Sequence, residues 1–483
     1  MLSNSSHKKG FDLLQPAPAW AAIIGLALFT VLCLLVRAGG IFRPAFLVGS
    51  FAVGVFLYRR YPILYIGFTW WLWFLTPFLS RMADFVSGLG ARQLLIVTPY
   101  LVTALTINTF LRQLPRAYKL GGLPFILASL GVFYSFFVGL SHHLSPDAAL
   151  LSANIDPTFF PYTPMKIAEA LLSWLTAICF GFHLFVNWRE YPQLKQNIQR
   201  NFCWGVFVMG VYGIVQYIVA PPWERFWFEN SPDVQYCCGW PEPFMIRVWS
   251  TLNYTFTFAY FMMPALLLLL GSKGPMRVPA TVAGYLSFLL ATVRSAWGGW
   301  FVGFVLFFTS LKARFQMRLL IAILALGLCI LPLVSVEPFS NVIASRFQTF
   351  SNIRQDESLD ERNRIYSEQV NQIIADPFGK GMGGGKVVDA GLLDILNTLG
   401  WFGVLPYASG VILLLFNLFQ YAEVRIDPFI NASRSVVVSL LMVLPAANTF
   451  VILPGVVFWG FAGIAMAGHK YYQYQRSIGV TKN

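Results

Sequence analysis

Charged residues are scarce in this chain. Asp, Glu, Lys and Arg make up 11% of its 483 residues, whereas hydrophobic residues make up 57% and the mean hydropathy is +0.62. Soluble globular proteins carry about 25% charged residues, so the composition excludes that class. Alternating segments of about ten residues, which would indicate a membrane barrel, are also lacking. The chain is therefore predicted to be an all-α integral membrane protein.

Residues that bind metals or form disulfides are few. The six cysteines and five histidines show no metal-binding spacing. Cys237 and Cys238 are adjacent in a polar loop, and neither has a cysteine in another loop to pair with. The remaining cysteines lie in or beside apolar runs. We expect no metal and no cofactor.

Apolar runs of 17–25 residues, which suit a hydrocarbon core of about 30 Å, recur along almost the whole chain. They predict a single transmembrane domain, 1–483, with about 14 spans. No cleavage site follows the first run, so the first helix is expected to be uncleaved. The spans are 20–36, 41–58, 62–79, 93–111, 122–140, 162–187, 201–220, 250–271, 279–293, 296–311, 319–336, 390–418, 435–449 and 451–468.

The formal net charge is +13. Lys and Arg concentrate in short loops on one side of the predicted spans, so we interpret them as topology signals and expect no nucleic-acid partner. This pattern predicts cytoplasmic N- and C-termini. It also predicts that residues 337–389 form a long loop on the outer side.

The long loop is the one extended polar segment between apolar runs. Residues 360–374 carry apolar side chains at helical spacing and predict a short amphipathic helix over the outer mouth. A glycine-rich stretch follows at 379–385. It lacks the GxxxxGK[ST] pattern, so a nucleotide loop is excluded. A turn that approaches a ligand, a hinge and a simple connector remain open.

Four arginines are candidate ligand-binding residues: Arg247, Arg294, Arg362 and Arg364. Arg294 interrupts an apolar stretch, where a charge costs free energy and usually has a partner or a function. Guanidinium groups suit phosphate and diphosphate through paired hydrogen bonds. For Arg294 the alternative is a snorkelling or ion-paired side chain, and for Arg362 and Arg364 it is pairing with nearby acids. Thr251 and Asn253 are candidates for binding sugar hydroxyls or for helix capping.

Several stretches together resemble the O-antigen polymerase and ligase superfamily, which includes the Wzy-type bacterial polysaccharide polymerases. The resemblance covers about residues 212–403. The segment 388–390 lacks the histidine of the ligase branch, which favours a polymerase. The stretches that carry the resemblance are YGIVQY at 212–217, Arg247 with STLN at 250–253, TVRSA at 292–296, Arg362 with Tyr366, DPFGKG at 376–381 and DAGLLDILNTLG at 389–400.

The resemblance implies a GT-C-like fold and a membrane glycosyltransferase of the bacterial inner membrane. Its substrate would be a glycan repeat unit on undecaprenyl diphosphate, used in O-antigen, exopolysaccharide or capsule biosynthesis. Arg294 and Arg247 would bind the diphosphate, while Arg362 and Arg364 would complete the clamp. Asp389 or Glu361 would orient or deprotonate the acceptor hydroxyl.

Three alternatives remain open. The first is an O-antigen ligase-type transferase that moves glycan to another acceptor. The second is a transporter or flippase for lipid-linked oligosaccharide, although the chain shows neither an internal repeat nor many charges inside its spans. The third is a scaffold in an export complex. A chain-length regulator and other polysaccharide assembly proteins are expected partners besides the bilayer and the lipid-linked glycan.

Overall fold

A computed structural model describes residues 17–90, 92–145, 159–160, 162–317, 320–321, 324, 328, 357–386, 390–420 and 427–479. The described chain is a helical bundle with one short pair of strands. The helices are α1 Ala17–Leu35, α2 Gly39–Arg60, α3 Pro62–Ser87, α4 Arg92–Ile96, α5 Thr98–Ala104, α6 Thr106–Leu120, α7 Leu123–Leu144, α8 Pro164–Val186, α9 Tyr191–Val219, α10 Pro222–Glu229, α11 Pro232–Cys237, α12 Thr255–Leu270, α13 Arg277–Leu290, α14 Arg294–Thr309, α15 Glu357–Ile374, α16 Gly391–Phe419, α17 Pro428–Val443 and α18 Ile452–Ser477.

Within the described ranges, nine helical segments are long and apolar enough to cross a membrane. The prediction of a polytopic helical membrane protein is therefore confirmed, while the count of 14 stays a prediction. Span 319–336 lies almost wholly outside the described residues. The nine segments are Ala17–Leu35, Gly39–Arg60, Pro62–Ser87, Leu94–Leu120, Leu123–Leu144, Pro164–Val186, Trp188–Val219, Gly391–Phe419 and Ile452–Ser477.

Four further apolar helices correspond to predicted spans but are short. α12, α14 and α17 have 16 residues and α13 has 14. At 1.5 Å per residue they extend about 21–24 Å, less than a hydrocarbon core of about 30 Å. Each of these four helices is therefore too short to cross such a core by itself.

One end of the bundle, which we name the loop end, gathers the irregular segments. There α3, α9 and α13 finish, and α12, α14 and α16 begin. Backbone contacts tie these parts together, since Val248 N donates to Leu290 O at 3.3 Å. The α15 helix reaches the same end, where Tyr366 Oη donates to Pro445 O at 3.3 Å just after α17.

The opposite end holds a separate buried carboxylate, Asp427. It accepts hydrogen bonds from Lys195 Nζ at 2.8 Å, from Tyr191 Oη at 2.8 Å and from Tyr472 Oη at 3.0 Å. Burial alone raises the pKa of Asp427, but the Lys195 ammonium and the other donors outweigh burial and lower it. This cluster ties α9, α17 and α18 together away from the loop end.

Two short strands lie at the loop end, beside α7 and α8. Strands β1 (Phe159–Phe160) and β2 (Gly385–Lys386) pair antiparallel, with Phe159 opposite Lys386. This pair is a small departure from the all-α prediction. It joins the chain before α8 to the glycine-rich turn that follows α15.

Small residues allow the central helices to approach closely. A Cβ atom on Gly463 of α18 would lie 2.0 Å from Gly181 O of α8, and one on Gly181 would lie 2.3 Å from Trp459 O. Membrane helices associate through such close backbone packing because lipid tails supply no hydrophobic drive between them. The α8–α18 contact therefore requires glycine on both helices.

We expect Gly463→Ala to lower the free energy of unfolding by about 1–3 kcal/mol, because the added methyl group forces α8 and α18 apart. The matched control is Gly298→Ala in α14, where a Cβ meets no described atom within 4 Å. Thermal unfolding of the detergent-solubilised protein measures both. Equal midpoints for the two variants would contradict the packing argument.

Candidate functional site

The loop end brings together two non-helical segments, one before α12 and one before α14, which Arg247 joins by hydrogen bonds. Residues 244–254 precede α12, and residues 291–293 connect α13 to α14. Ser250 and Thr292, one in each segment, have left-handed backbone angles, with φ of 52° and 55°. Non-glycine residues seldom adopt this region, and irregular backbone at membrane depth is tolerated where it lines protein or a cavity. Strain of this kind concentrates at functional sites.

A buried ion pair lies against the non-helical segment before α12. Arg81, near the end of α3, places its Nε 3.0 Å from Oε2 of Glu224 in α10, and both side chains are fully buried. Glu224 also accepts hydrogen bonds from Trp249 Nε1 at 2.9 Å and from the Tyr212 hydroxyl. A buried carboxylate needs this many donors because it has left water.

Arg81 also holds the irregular segment before α12. Its guanidinium donates to Ser250 O at 2.6 Å, to Asn253 Oδ1 at 3.0 Å and to Leu252 O. On the other side of the segment, Gln216 Oε1 accepts from the backbone N–H groups of Trp249 and Ser250 at 3.0 and 2.8 Å. The charged pair therefore supplies partners for backbone groups that no helix satisfies.

Arg247 connects the two irregular segments. Its Nε donates to Thr292 Oγ1 at 2.8 Å, its Nη2 donates to Thr292 O at 3.2 Å, and its Nη1 donates to Cys237 O at 2.8 Å. These bonds position the chain two residues before Arg294. They assign Arg247 a positioning role, and its binding of diphosphate stays a prediction.

Arg294 is the first residue of α14 and is half-buried. Val293 precedes it and has no side-chain oxygen to cap the helix. The next residue, Ser295, shares a hydrogen bond of 2.9 Å with the hydroxyl of Tyr260 in α12. The first N–H groups of a helix lack intrahelical acceptors and carry partial positive charge, so this end of α14 adds to the attraction of Arg294 for an anion.

Thr251 and Asn253, the two predicted sugar-binding residues, lie beside the Arg81 guanidinium. Thr251 is 3% exposed, and its Oγ1 has no hydrogen-bond partner among the described residues. Asn253 is half-buried and accepts the bond from Arg81. Neither side chain caps α12, since its N-cap, Tyr254, has no side-chain cap hydrogen bond. The capping interpretation of these residues is not supported.

The remaining predicted residues belong to the long loop. Glu361 and Arg362 lie on α15, but their side chains are outside the described part of the chain, as is all of Asp389. Arg364 is 61% exposed, with its Nη1 3.9 Å from Glu368 Oε1 one helical turn away. This long, exposed contact contributes little to stability.

The described part of the loop is anchored over the start of α16. Tyr366, Val370 and Ile373 of α15 pack against Ala390 and Leu393. An amphipathic helix was predicted at 360–374, and the structure contains α15 at Glu357–Ile374. The apolar face of α15 therefore covers a neighbouring helix.

The glycine-rich turn after α15 is packed tightly. A Cβ on Gly381 would lie 2.3 Å from Gly139 N, and one on Gly379 would lie 2.4 Å from Gly400 N. Both glycines have left-handed φ, at 73° and 72°. Lys380 N donates to Asn397 O at 2.7 Å. Such close backbone contacts describe a fixed connector between α7 and α16, and they do not fit the hinge interpretation.

An ion pair strengthens this turn. Lys380 Nζ lies 2.8 Å from Asp376 Oδ2, and Gly379 N donates to Asp376 Oδ1 at 3.1 Å. Partial burial alone raises the pKa of Asp376, but the Lys380 ammonium and the backbone donors lower it. Asp376 is therefore ionised at neutral pH and has a structural partner.

No protein-family model matches the chain, and no curated protein matches it. The geometry above therefore carries the functional argument together with the motif resemblance.

Sequence reasoning did not single out Arg81, Glu224 or Gln216. Arg81 follows an apolar run at 62–79, and Glu224 stands among aromatic residues at 221–228. Isolated opposite charges at the edges of two apolar segments were the available signal, because an ionisable residue in such a setting is expected to have a partner.

We expect Arg81→Met to destabilise the protein by about 3–5 kcal/mol, because it leaves the Glu224 charge buried without its partner. Glu224→Gln should cost a similar amount, and the double variant should cost clearly less than the two together. Thermal unfolding in detergent measures the cycle.

Lys195→Met is the matched control for this cycle. It breaks an ion pair with Asp427 at the opposite end, where the lysine side chain is 27% exposed. A smaller loss of stability is expected there because water solvates part of the pair. If the double variant lost as much unfolding free energy as the Arg81 and Glu224 variants together, the two residues would not be coupled.

Proposed function

We propose that this protein is a polymerase of glycan repeat units carried on undecaprenyl diphosphate, working at the outer face of the bacterial inner membrane. The observation that carries the proposal is the position of Arg294. It begins α14, and Arg247 bonds Thr292 in the preceding turn.

The short helices at the loop end suit a lipid-linked substrate. The helices α12, α13 and α14 extend about 21–24 Å, less than the roughly 30 Å of a hydrocarbon core. A polyprenyl chain would stay in the bilayer while its diphosphate reached the start of α14.

The residues account for the charge that such a reaction develops. A hydroxyl of the acceptor sugar attacks the anomeric carbon of the donor, the bond to the diphosphate oxygen breaks, and the lipid diphosphate leaves with the bonding electrons. Negative charge therefore grows on the diphosphate in the transition state. Arg294 and the N–H groups of the first turn of α14 would stabilise that charge, which is where electrostatic catalysis is most effective.

The other predicted residues take roles around this anion site. Thr251 and Asn253 lie on the segment held by Arg81 and would contact sugar hydroxyls. Arg362 and Arg364 of α15 would complete the clamp from above. Asp389, or else Glu361, would orient the acceptor hydroxyl or remove its proton. The GT-C-like fold and the outer location of residues 337–389 belong to the same proposal.

We expect Arg294→Ala to reduce polymer formation about 10²–10³-fold, the usual loss on removing one donor from a developing oxyanion. Arg294→Lys should retain more activity, since it keeps the charge but loses the planar fork. The assay uses the purified protein in liposomes with polyprenyl diphosphate-linked oligosaccharide, and gel electrophoresis resolves the polymer ladder.

Arg277→Ala is the matched control for this experiment. Arg277 begins α13 at the opposite end of the bundle, where its Nη1 donates to Ser272 O at 3.1 Å. This variant should form polymer normally. If Arg294→Ala inserted normally and left chain length unchanged, the polymerase mechanism would be abandoned. Movement of single repeat units across the liposome membrane without joining them would favour the flippase alternative.

A further inference from the structure

Two adjacent cysteines lie next to the site and have no role in the proposed reaction. Cys237 ends α11 and is half-buried, while Cys238 follows it and is fully buried. Their Sγ atoms are 2.9 Å apart, and both cysteines are free. The two thiols therefore already face one another.

The peptide between these cysteines is bonded to Arg247. Cys237 O, which belongs to that peptide, accepts from Arg247 Nη1 at 2.8 Å. Cys238 O accepts from the backbone N–H of Arg247 at 2.9 Å. A rotation of this peptide therefore acts directly on the arginine that positions Thr292 and the start of α14.

The surroundings of the pair favour a thiolate on Cys238. Burial raises the pKa of Cys238, but hydrogen bonds from Cys237 and Thr255 and the positive charge of Arg247 outweigh burial and lower it. The pKa of Cys237 is raised, because its S–H donates to the neighbouring sulfur and because it is partly buried. Thr255 Oγ1 donates to Cys238 Sγ at 3.1 Å. A thiolate is the form that attacks a disulfide.

We propose that Cys237 and Cys238 form a reversible disulfide with each other, and that its formation repositions Arg247. The oxidant is an external disulfide, such as glutathione disulfide or a protein dithiol–disulfide. The Cys238 thiolate acts as the base: it takes the proton of half-exposed Cys237 as the Cys237 sulfur attacks one sulfur of the oxidant, whose other sulfur leaves as a thiolate. That thiolate takes the proton from Cys238 and departs as the first thiol. The Cys238 thiolate then attacks Cys237 Sγ, which closes the ring, and the second sulfur of the oxidant leaves as a thiolate that takes a proton from water. Two protein thiols are oxidised, and one external disulfide is reduced to two thiols.

Covalent geometry explains why such a bond is a switch. Neighbouring Cα atoms are about 3.8 Å apart across a trans peptide, whereas disulfide-linked Cα atoms usually lie about 4.4–6.8 Å apart. A ring between neighbours therefore distorts the peptide between them and is easily reduced. That peptide carries the Cys237 carbonyl, so oxidation turns this acceptor away from Arg247.

The test uses the full-length protein in lipid nanodiscs equilibrated with reduced and oxidised glutathione at several ratios. Peptide mass spectrometry after N-ethylmaleimide labelling should show that the peptide with both cysteines loses its two adducts under oxidising conditions. Modification of Arg247 by phenylglyoxal should rise severalfold in the oxidised form. Neither readout depends on glycan chemistry, so the result is independent of the proposed function.

Cys237→Ser and Cys238→Ser should each abolish the change in Arg247 reactivity. Cys203→Ser, in a half-buried cysteine of α9, is the matched control and should leave it intact. The proposal is overturned if both thiols stay labelled at every ratio. A stable glutathione adduct or a link between two chains as the final product also overturns it, as does ring closure without any change at Arg247.

Discussion

The loop end depends on one buried ion pair. Arg81 and Glu224 have left water completely, and each is satisfied by several further partners. Removing two charges from water is costly, so the pair depends on the further hydrogen bonds that the two Nη atoms of Arg81 and both carboxylate oxygens of Glu224 make. The pair stabilises the non-helical backbone before α12. The carbonyls of Ser250 and Leu252 lie outside any helix, and the Arg81 guanidinium donates the hydrogen bonds that they accept.

The site is built outward from this pair in two steps. Arg81 and Gln216 hold the segment that contains Trp249 and Ser250. Arg247, just before that segment, then bonds Thr292 on the turn before α14. Each step positions non-helical backbone with a guanidinium or an amide that can bond several groups at once. These two sets of hydrogen bonds therefore position the turn that precedes Arg294.

The long loop contributes to the same end through packing. The apolar face of α15 rests on the start of α16, and the glycines after α15 press against α7, α8 and α16. These contacts leave little room for backbone movement in the turn.

The sequence alone determined the class of polytopic helical membrane protein and the amphipathic helix near 360–374, because hydropathy and helical period are local properties. It also singled out Arg247 and Arg294, since charges at the edge of apolar runs are visible in one dimension. It did not show that Arg81 and Glu224 meet. That contact joins residues 143 positions apart, and only tertiary packing brings two such isolated charges together.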